Sequence, residues 1–414
     1  MQTASPEVVA AVADAHRREW AFVLAATRRI SGDLDSAEEA VQDAYASALE
    51  TWGSRGIPDN VGAWLTTTAR RRALDALRRA ATAQRALPKL AEPVEIDARD
   101  PFDDDIPDDR LRLIFTCCHP SLSVEAQVAL TLRMLCGLST GDVARAFLVP
   151  EPTMAARITR AKKKISRAGI PYRVPPASEL SERIEAVLFV VHLVFTTGHT
   201  APEGATLMRR DLAERGLELA RMLHQLLPAD VDVTGLLALI LLTDARRETR
   251  VDEVGHLILL AEQDRTRWDA GEIGEGIVLL DEALRTGRAG RFSLMAAIAA
   301  VHDSSPTWAE TDWSEILGLY DLLIGLWQSP VVALNRAVAL GFARGFEVGL
   351  AELDRLTDEP KLAAYGYLAA SRADFLARLD RADEARTAYE EALVLTDNDA
   401  EREFLIARLE SLKG

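Results

Sequence analysis

The stretch Leu138-Ser-Thr-Gly-Asp-Val-Ala-Arg-Ala-Phe-Leu-Val-Pro-Glu-Pro-Thr-Met-Ala-Ala-Arg-Ile-Thr-Arg-Ala-Lys-Lys-Lys-Ile165 decides how the chain is read. Ser139 and Asp142 are placed to cap a short helix whose apolar residues are Val143, Ala144 and Phe147. Leu148, Val149 and Pro150 then make a tight apolar turn. Pro152 suits the first turn of a second helix, where its missing N–H costs nothing. In that helix Ala155, Ile158, Ala161 and Ile165 face inward. Thr153, Ala156, Arg157, Arg160, Lys163, Lys164 and Arg167 form the opposite stripe, small residues first and cations after. A recognition helix reads base edges from its N-terminal turns and holds phosphates with later residues, so the pattern predicts a DNA-binding helix-turn-helix. A basic amphipathic helix without a DNA role is the alternative. The agreement of turn, caps and charge stripe favours the first.

Working outward, nearly everything else also has helical period, and the expectation is an all-α protein. Over residues 36–49, Ala37, Ala40, Val41, Ala44, Tyr45, Ala48 and Leu49 form one apolar face, and Ser36 with Glu39 reads as a capping box. Gly53, Gly56 and Pro58 break the chain, and a second helix is expected from near Asn60 to about Arg79. There Leu65, Ala69, Ala73, Ala76 and Leu77 point inward, leaving Thr67, Arg70, Arg71, Asp75, Arg78 and Arg79 outside. Residues 91–109 are acidic, Pro-broken and aperiodic, as a linker is. Periodicity resumes at Arg110, pauses at Pro171, Pro175 and Pro176, and continues to the end. These breaks predict domains over 1–90, 110–173, 174–290 and 291–414, with the linker between the first two. In the last part, Ala373, Leu376, Ala385, Tyr389 and Ala392 repeat the spacing of Ala337, Leu340, Gly349, Leu353 and Leu356, 36 residues earlier. That small/large pattern is how paired helices pack in tetratricopeptide hairpins.

The net charge of −16 argues at first against nucleic acid, but its distribution reverses that impression. Residues 1–173 hold 24 Lys and Arg against 23 Asp and Glu, whereas residues 174–414 hold 24 against 41. Residues 64–89 and 151–173 each carry seven basic residues and one acidic residue, as local phosphate contact requires. No apolar run is long enough for a membrane span, and the N-terminus lacks signal-peptide features. Three cysteines make no disulfide framework, which fits a reducing cytoplasm. Cys117-Cys118-His119 lacks the spaced partner that structural zinc needs, so core packing is expected and no metal or cofactor. No phosphate loop or nucleophile motif appears, so no catalytic residue is expected. Asp244, Arg246, Arg247, Gln263, Asp264 and Arg265 read as an internal ion-pair network in preference to a polar pocket.

The segment Thr153-Met-Ala-Ala-Arg157-Ile-Thr-Arg160-Ala-Lys-Lys-Lys-Ile165 resembles region 4 of extracytoplasmic-function sigma factors. Gly32-Asp-Leu-Asp-Ser-Ala-Glu-Glu-Ala-Val-Gln-Asp-Ala-Tyr45 is similar to their region 2.2. Pro58-Asp-Asn-Val-Gly-Ala-Trp64-Leu-Thr-Thr-Thr-Ala-Arg70-Arg-Arg-Ala-Leu-Asp75-Ala-Leu-Arg78-Arg79 resembles regions 2.3 and 2.4. Phe115-Thr-Cys-Cys-His-Pro120, Asp244-Ala-Arg-Arg247, Glu262-Gln-Asp-Arg-Thr-Arg-Trp268 and Ser329-Pro-Val-Val-Ala-Leu-Asn-Arg-Ala337 extend the resemblance to the subgroup with a tetratricopeptide-like C-terminal extension. The chain departs from that pattern at Arg71, where Asn is usual, and over Phe195-Thr-Thr-Gly-His199.

The resemblance implies a sigma factor that binds core RNA polymerase and directs promoter-specific initiation. It implies −35 recognition by Thr153, Met154, Ala156, Arg157, Arg160, Lys163, Lys164 and Arg167, and −10 recognition by Trp64, Thr67, Arg70, Arg71, Asp75 and Arg78. Asp35, Glu38, Glu39, Gln42 and Asp43 would meet the β′ clamp helices, and region 4 the β flap. The extension would modulate activity and offer its repeats to a protein partner; the charge split leads us to expect it to pack on the DNA-reading part. The competing class is a DNA-binding regulator fused to a small-ligand sensor or enzymatic helical domain.

Overall fold

The computed structural model describes residues 5–86, 109–147, 149–201, 203–204, 206–285, 287 and 289–412. The acidic stretch up to Asp108, and Leu148 of the apolar turn, lie outside the described residues. Among the described residues the only strands are two of two residues each, so the fold is all-α. The chain divides into two compact units, Met1–Val190 and Val191–Gly414.

In the first unit, α1 (Pro6–Ser31), α2 (Leu34–Arg55) and α3 (Val61–Ala86) pack mutually. The Ser5 side chain caps α1, and Gly32 ends it at φ 84°, a left-handed turn that glycine takes without steric cost. Val23, Leu24, Val41, Ala44, Leu65 and Ala69 are fully buried between the three helices. Small residues on facing helices let the backbones approach closely. The start of α2 differs from expectation: Asp33, not Ser36, is the cap, because its carboxylate accepts from the Ser36 N–H at 2.8 Å and draws Ser36 into the first turn. Asn60 takes the same role for α3, accepting from the Ala63 N–H at 2.9 Å. Leu49 and Leu77 are 39% and 40% exposed, and Ala76 is exposed too, so none of them belongs to the core face assigned above. The helices outrun their partners there, α3 continuing to Ala86 where a break near Arg79 was expected.

Four further helices follow in this unit: α4 (Asp109–Cys117), α5 (Val124–Met134), α6 (Thr140–Ala146) and α7 (Glu151–Arg167). Ser139 and Asp142 form a capping box at the start of α6, as the sequence indicates. Pro152 lies in the first turn of α7. Met154, Ile158, Ala161 and Ile165 are the buried face of α7. Ala155 is exposed and Met154 is fully buried, so the inward register begins one residue earlier than the sequence suggested. Met154 is the larger apolar side chain of the two and is four residues before Ile158. The division between units falls within α8 (Ala177–His199).

The second unit runs through α9 (Arg210–Leu226), α10 (Val231–Asp244), α11 (Ala270–Arg285), α12 (Arg291–Ser304), α13 (Trp313–Leu326), α14 (Pro330–Arg344), α15 (Phe346–Arg355), α16 (Gly366–Arg378), α17 (Ala382–Val394) and α18 (Asp399–Ser411). Successive helices pack as neighbours, α14 on α15 and α16 on α17 among them. The repeat lies at these contacts: Ala373, Leu376, Ala385, Tyr389 and Ala392 are all buried, as are Ala337, Leu340, Gly349 and Leu353. A Cβ on Gly349 would stand 2.5 Å from the Gly341 backbone, so only glycine permits that approach of α14 and α15. The short strands, β1 (Glu203–Gly204) and β2 (Asp397–Asn398), pair in parallel. Asn398 is fully buried there, donating to the Ala201 and Thr206 carbonyls at 3.0 Å each and capping α18.

Candidate nucleic-acid interface

The exposed side of α7 carries Thr153, Ala156, Arg160, Lys163, Lys164 and Arg167. Arg160, Lys163, Lys164, Arg167 and Ala168 line an open crevice of about 440 Å³. Arg157, half-buried, stands 5.5 Å over the Phe147 ring, so the first helix of the pair braces the guanidinium of the second. The Lys164 ammonium donates to the Ser121 carbonyl. Met154 is the correction to this set: with no exposed surface it anchors the helix in the core and offers DNA nothing.

Along α3, Thr67, Arg70, Arg71, Asp75 and Arg78 are all exposed. Asp75 receives Arg78 at 3.5 Å, and Arg79 donates to its backbone carbonyl at 3.3 Å. Arg70 and Arg71 have no ion-pair partner among the described residues. Trp64 is half-buried, its ring edge-on to the buried Trp52 with 5.4 Å between centroids. It is therefore partly a packing residue and partly accessible.

The acidic residues of α2 divide. Asp35, Glu39, Gln42 and Asp43 are exposed, but Glu38 is buried at 6% exposure. Its expected outward placement is overturned by two cations from the second half of the unit. Lys162 of α7 donates to Glu38 at 2.7 Å and to Asp35 at 2.8 Å, and Arg133 of α5 also pairs with Glu38. Burial by itself lowers the Lys162 ammonium, yet the hydrogen bonds and charges of Asp35 and Glu38 leave it above its ordinary value. Around this ion pair the two halves touch repeatedly. Trp20 of α1 donates its indole N–H to the Met134 carbonyl at 3.0 Å, and the Tyr172 hydroxyl donates to Ala25 at 3.0 Å. The Gly137 Cα faces His16 and Trp20, so a Cβ there would stand 2.7 Å from the His16 ring. Sequence reasoning passed over Lys162 and Arg133. One signal was present: Lys162 is four residues after Ile158 and three before Ile165, in phase with the buried face of α7 and not with its basic stripe.

In the second unit the polar residues singled out above are all engaged, but only Arg247 and Asp244 pair with one another; the rest turn to other partners. Arg247 reaches Asp244 at 3.0 Å, Glu272 at 2.6 Å and Asp269 at 3.4 Å. Arg265 donates to the His302 and Ser305 carbonyls and lies 4.7 Å over Trp268. Arg246 approaches the fully buried Asp303 at 3.7 Å. Burial pushes the Asp303 carboxyl up to about 6, and Arg246 and Arg265 pull it back only in part. Burial, reinforced by Arg246 and Arg265, pushes His302 down to about 3. Gln263 accepts from Thr249 at 3.1 Å, and Asp264 caps a short 3-10 turn. Cys117, Cys118 and Cys136 are free and buried, and no group of residues that could hold a metal occurs among the described residues. No described helix is long and apolar enough to cross a membrane.

Comparison with known families places three matches along the chain. Residues 16–82 match Sigma-70 region 2, residues 112–165 match Sigma-70 region 4, and residues 183–284 match a family of unknown function, DUF6596. An uncharacterized protein of Rhizobium meliloti (strain 1021) is 39% identical over 395 residues, covering 94% of this chain and 93% of its own. Among solved structures, the crystal structure of yeast Tom70 aligns with 98% of this chain and 84% of its own at 15% identity, with a TM-score of 0.36.

Proposed function

The chain belongs to the sigma-70 family, as an extracytoplasmic-function type member with a helical extension, and from that premise we propose that it binds core RNA polymerase and directs initiation at promoters with −10 and −35 elements. The observation that carries this reading is the pair of exposed basic helix faces on α3 and α7, each within one of the two matched regions. Neither face has the buried, convergent polar groups of an enzyme site. Both have cations spaced along one side of a helix, which suits a phosphate backbone.

In this reading Arg157 contacts base edges of the −35 element. Thr153 and Ala156, small and at the N-terminal end, permit close approach to the groove. Arg160, Lys163, Lys164 and Arg167 hold phosphates on either side. Thr67, Arg70, Arg71, Asp75 and Arg78 meet the −10 element, with Trp64 beside the loop that precedes α3. Asp35, Glu38, Glu39, Gln42 and Asp43 take the polymerase β′ clamp helices, and the second sigma region takes the β flap. The extension modulates the output, and its hairpins offer helical grooves to a protein partner. Work of this kind is done where the polymerase is, in the cytoplasm.

The deciding experiment is transcription in vitro with purified core polymerase, the full chain and a randomised promoter library. Transcripts whose start sites share two upstream elements are expected. Their absence, with core polymerase active on another sigma factor, refutes the proposal.

A further inference from the structure

We propose that the second unit holds a binding site for a small organic acid with a hydrogen-bond donor next to its carboxylate, built from Arg246, Arg265, His302 and Asp303. The site is confined to that unit and does not depend on the sigma-factor reading. Three segments supply it. Arg246 follows α10, Arg265 opens a 3-10 turn, and His302 and Asp303 lie in the last turn of α12. Trp268 supports both arginines, its ring 5.8 Å from the Arg246 guanidinium and 4.7 Å from that of Arg265. Its own indole N–H is spent on the Thr249 hydroxyl at 3.0 Å. Arg265 is fixed against the end of α12 by Nη1, which donates to the His302 and Ser305 carbonyls.

The polar capacity of this cluster is left open. Both carboxylate oxygens of Asp303, Nη2 of Arg265 and Nδ1 of His302 are buried and have no hydrogen-bond partner. Arg246 Nε stands 3.7 Å from Asp303, too far for a hydrogen bond, and the Asp303 side chain has no exposed surface. Buried polar groups are nearly always paired, and a buried carboxylate with both oxygens open is costly. Other arginines of the same unit show the closed alternative. Arg247 is matched to Asp244, Glu272 and Asp269, and Arg221 holds Glu275 with two hydrogen bonds of 2.5 and 2.8 Å. Around Asp303 the donors and acceptors converge without meeting, as they do where a further molecule completes them.

The open groups define the ligand. Two guanidinium groups face one carboxylate, and burial beside them keeps the His302 ring neutral. One positive charge is in excess, so the ligand is an anion. A planar guanidinium matches a carboxylate with paired hydrogen bonds. Asp303, ionised at neutral pH, only accepts, so the same molecule must also donate. A hydroxyl or ammonium next to the ligand carboxylate does this within one small molecule. Phosphate, rich in acceptors, would set negative charge against Asp303. The way in is past Arg246, whose side chain is 13% exposed where that of Asp303 is sealed. Moving it gives up only the long contact to Asp303 and its place over Trp268. Half-buried Trp308, stacked on His302 with 6.0 Å between centroids, covers the other side.

The test is saturation-transfer NMR on the full chain with lactate, alanine and propionate, and with inorganic phosphate as competitor. The three acids share a skeleton and differ in carrying a hydroxyl, an amino group or neither beside the carboxylate. Lactate or alanine should bind saturably with a dissociation constant of about 1 mM or below, within reach of about six non-hydrogen atoms. The better of the two should bind at least about 10-fold more tightly than propionate, and it identifies the donor that Asp303 takes. Asp303→Asn should bring that acid to within about 2-fold of propionate, and Arg246→Gln should weaken all three by about 10-fold or more, both with unchanged helical circular dichroism. Should Asp303→Asn fail to fold, the comparison of acids on the unaltered chain and Arg246→Gln still decide. Four results overturn the proposal: no saturable binding of lactate or alanine, propionate binding as tightly, displacement by phosphate at equal concentration, or unchanged affinity in Arg246→Gln. An Asp303→Asn protein that folds and keeps the full preference overturns it too.

Discussion

The two units of this protein use charge in opposite ways. In the first, the arginines of α3 and the cations of α7 stand on exposed helix faces, with Arg70 and Arg71 unopposed by any carboxylate among the described residues. In the second, Arg247 is shared by three carboxylates, Arg265 is spent on two backbone carbonyls, and Asp303 is fully buried beside Arg246. Charge on display suits a partner that supplies the counter-charge. Charge turned inward ties loops to helices. Lys162 belongs to the first unit but behaves like the second, paired inward with Glu38 and Asp35.

Four perturbations probe this contrast. The largest effect is expected from Phe375→Ala. The ring is buried against Phe342 and Phe346 and fills the space left by Gly341 and Gly349. Truncation should cost about 3–5 kcal/mol of stability in the second unit, read as a loss of its unfolding transition in urea. If the first unit's transition moves equally, the two units do not unfold independently.

Next is Arg157→Ala, expected to cost about 1–3 kcal/mol of binding at one or two −35 positions and to relax preference there, measured by competition among promoter variants. A uniform loss across all sequences would reassign Arg157 to phosphate contact.

The third concerns inward-facing groups. Burial, with Arg291 nearby, lowers His192 to about 4 from its ordinary 6.5. The unfolded chain therefore takes up a proton that the folded chain refuses, and stability falls as pH drops below the ordinary value. Between about pH 7 and about pH 5 the loss from this group is about 2 kcal/mol. His199 and His302 act in the same sense, and Asp303, raised to about 6, acts against them. Replacing His192 with Leu should flatten the dependence in chemical unfolding; an unchanged slope would remove His192 as a contributor.

The smallest effect is expected from Lys163→Ala. It should weaken all sequences alike and lower the slope of log affinity against log salt by about 0.9, the share of one phosphate contact. A larger change at one sequence than at others would contradict the division of labour along α7.

Legible from the chain alone were the helical class, the capping box at Ser139 and the basic stripe from Arg157 to Arg167. These depend on residues close along the chain, where capping and helical period act locally. So was the repeat at Ala337 and Ala373, because packing of adjacent helices needs small residues at fixed offsets. The exchange of Met154 for Ala155 and the exposure of Ala76 and Leu77 were decided by which neighbour was present to cover a side chain, whereas the cap at Asp33 is a local hydrogen bond to the Ser36 N–H. The fate of Glu38 was decided only in three dimensions. Nothing in Asp-Ser-Ala-Glu-Glu distinguishes Glu38 from Glu39. They differ because residues 95 and 124 positions further on, Arg133 and Lys162, meet one and not the other. Helical phase sets them about 100° apart, and that rotation separates a buried ion pair from an exposed carboxylate.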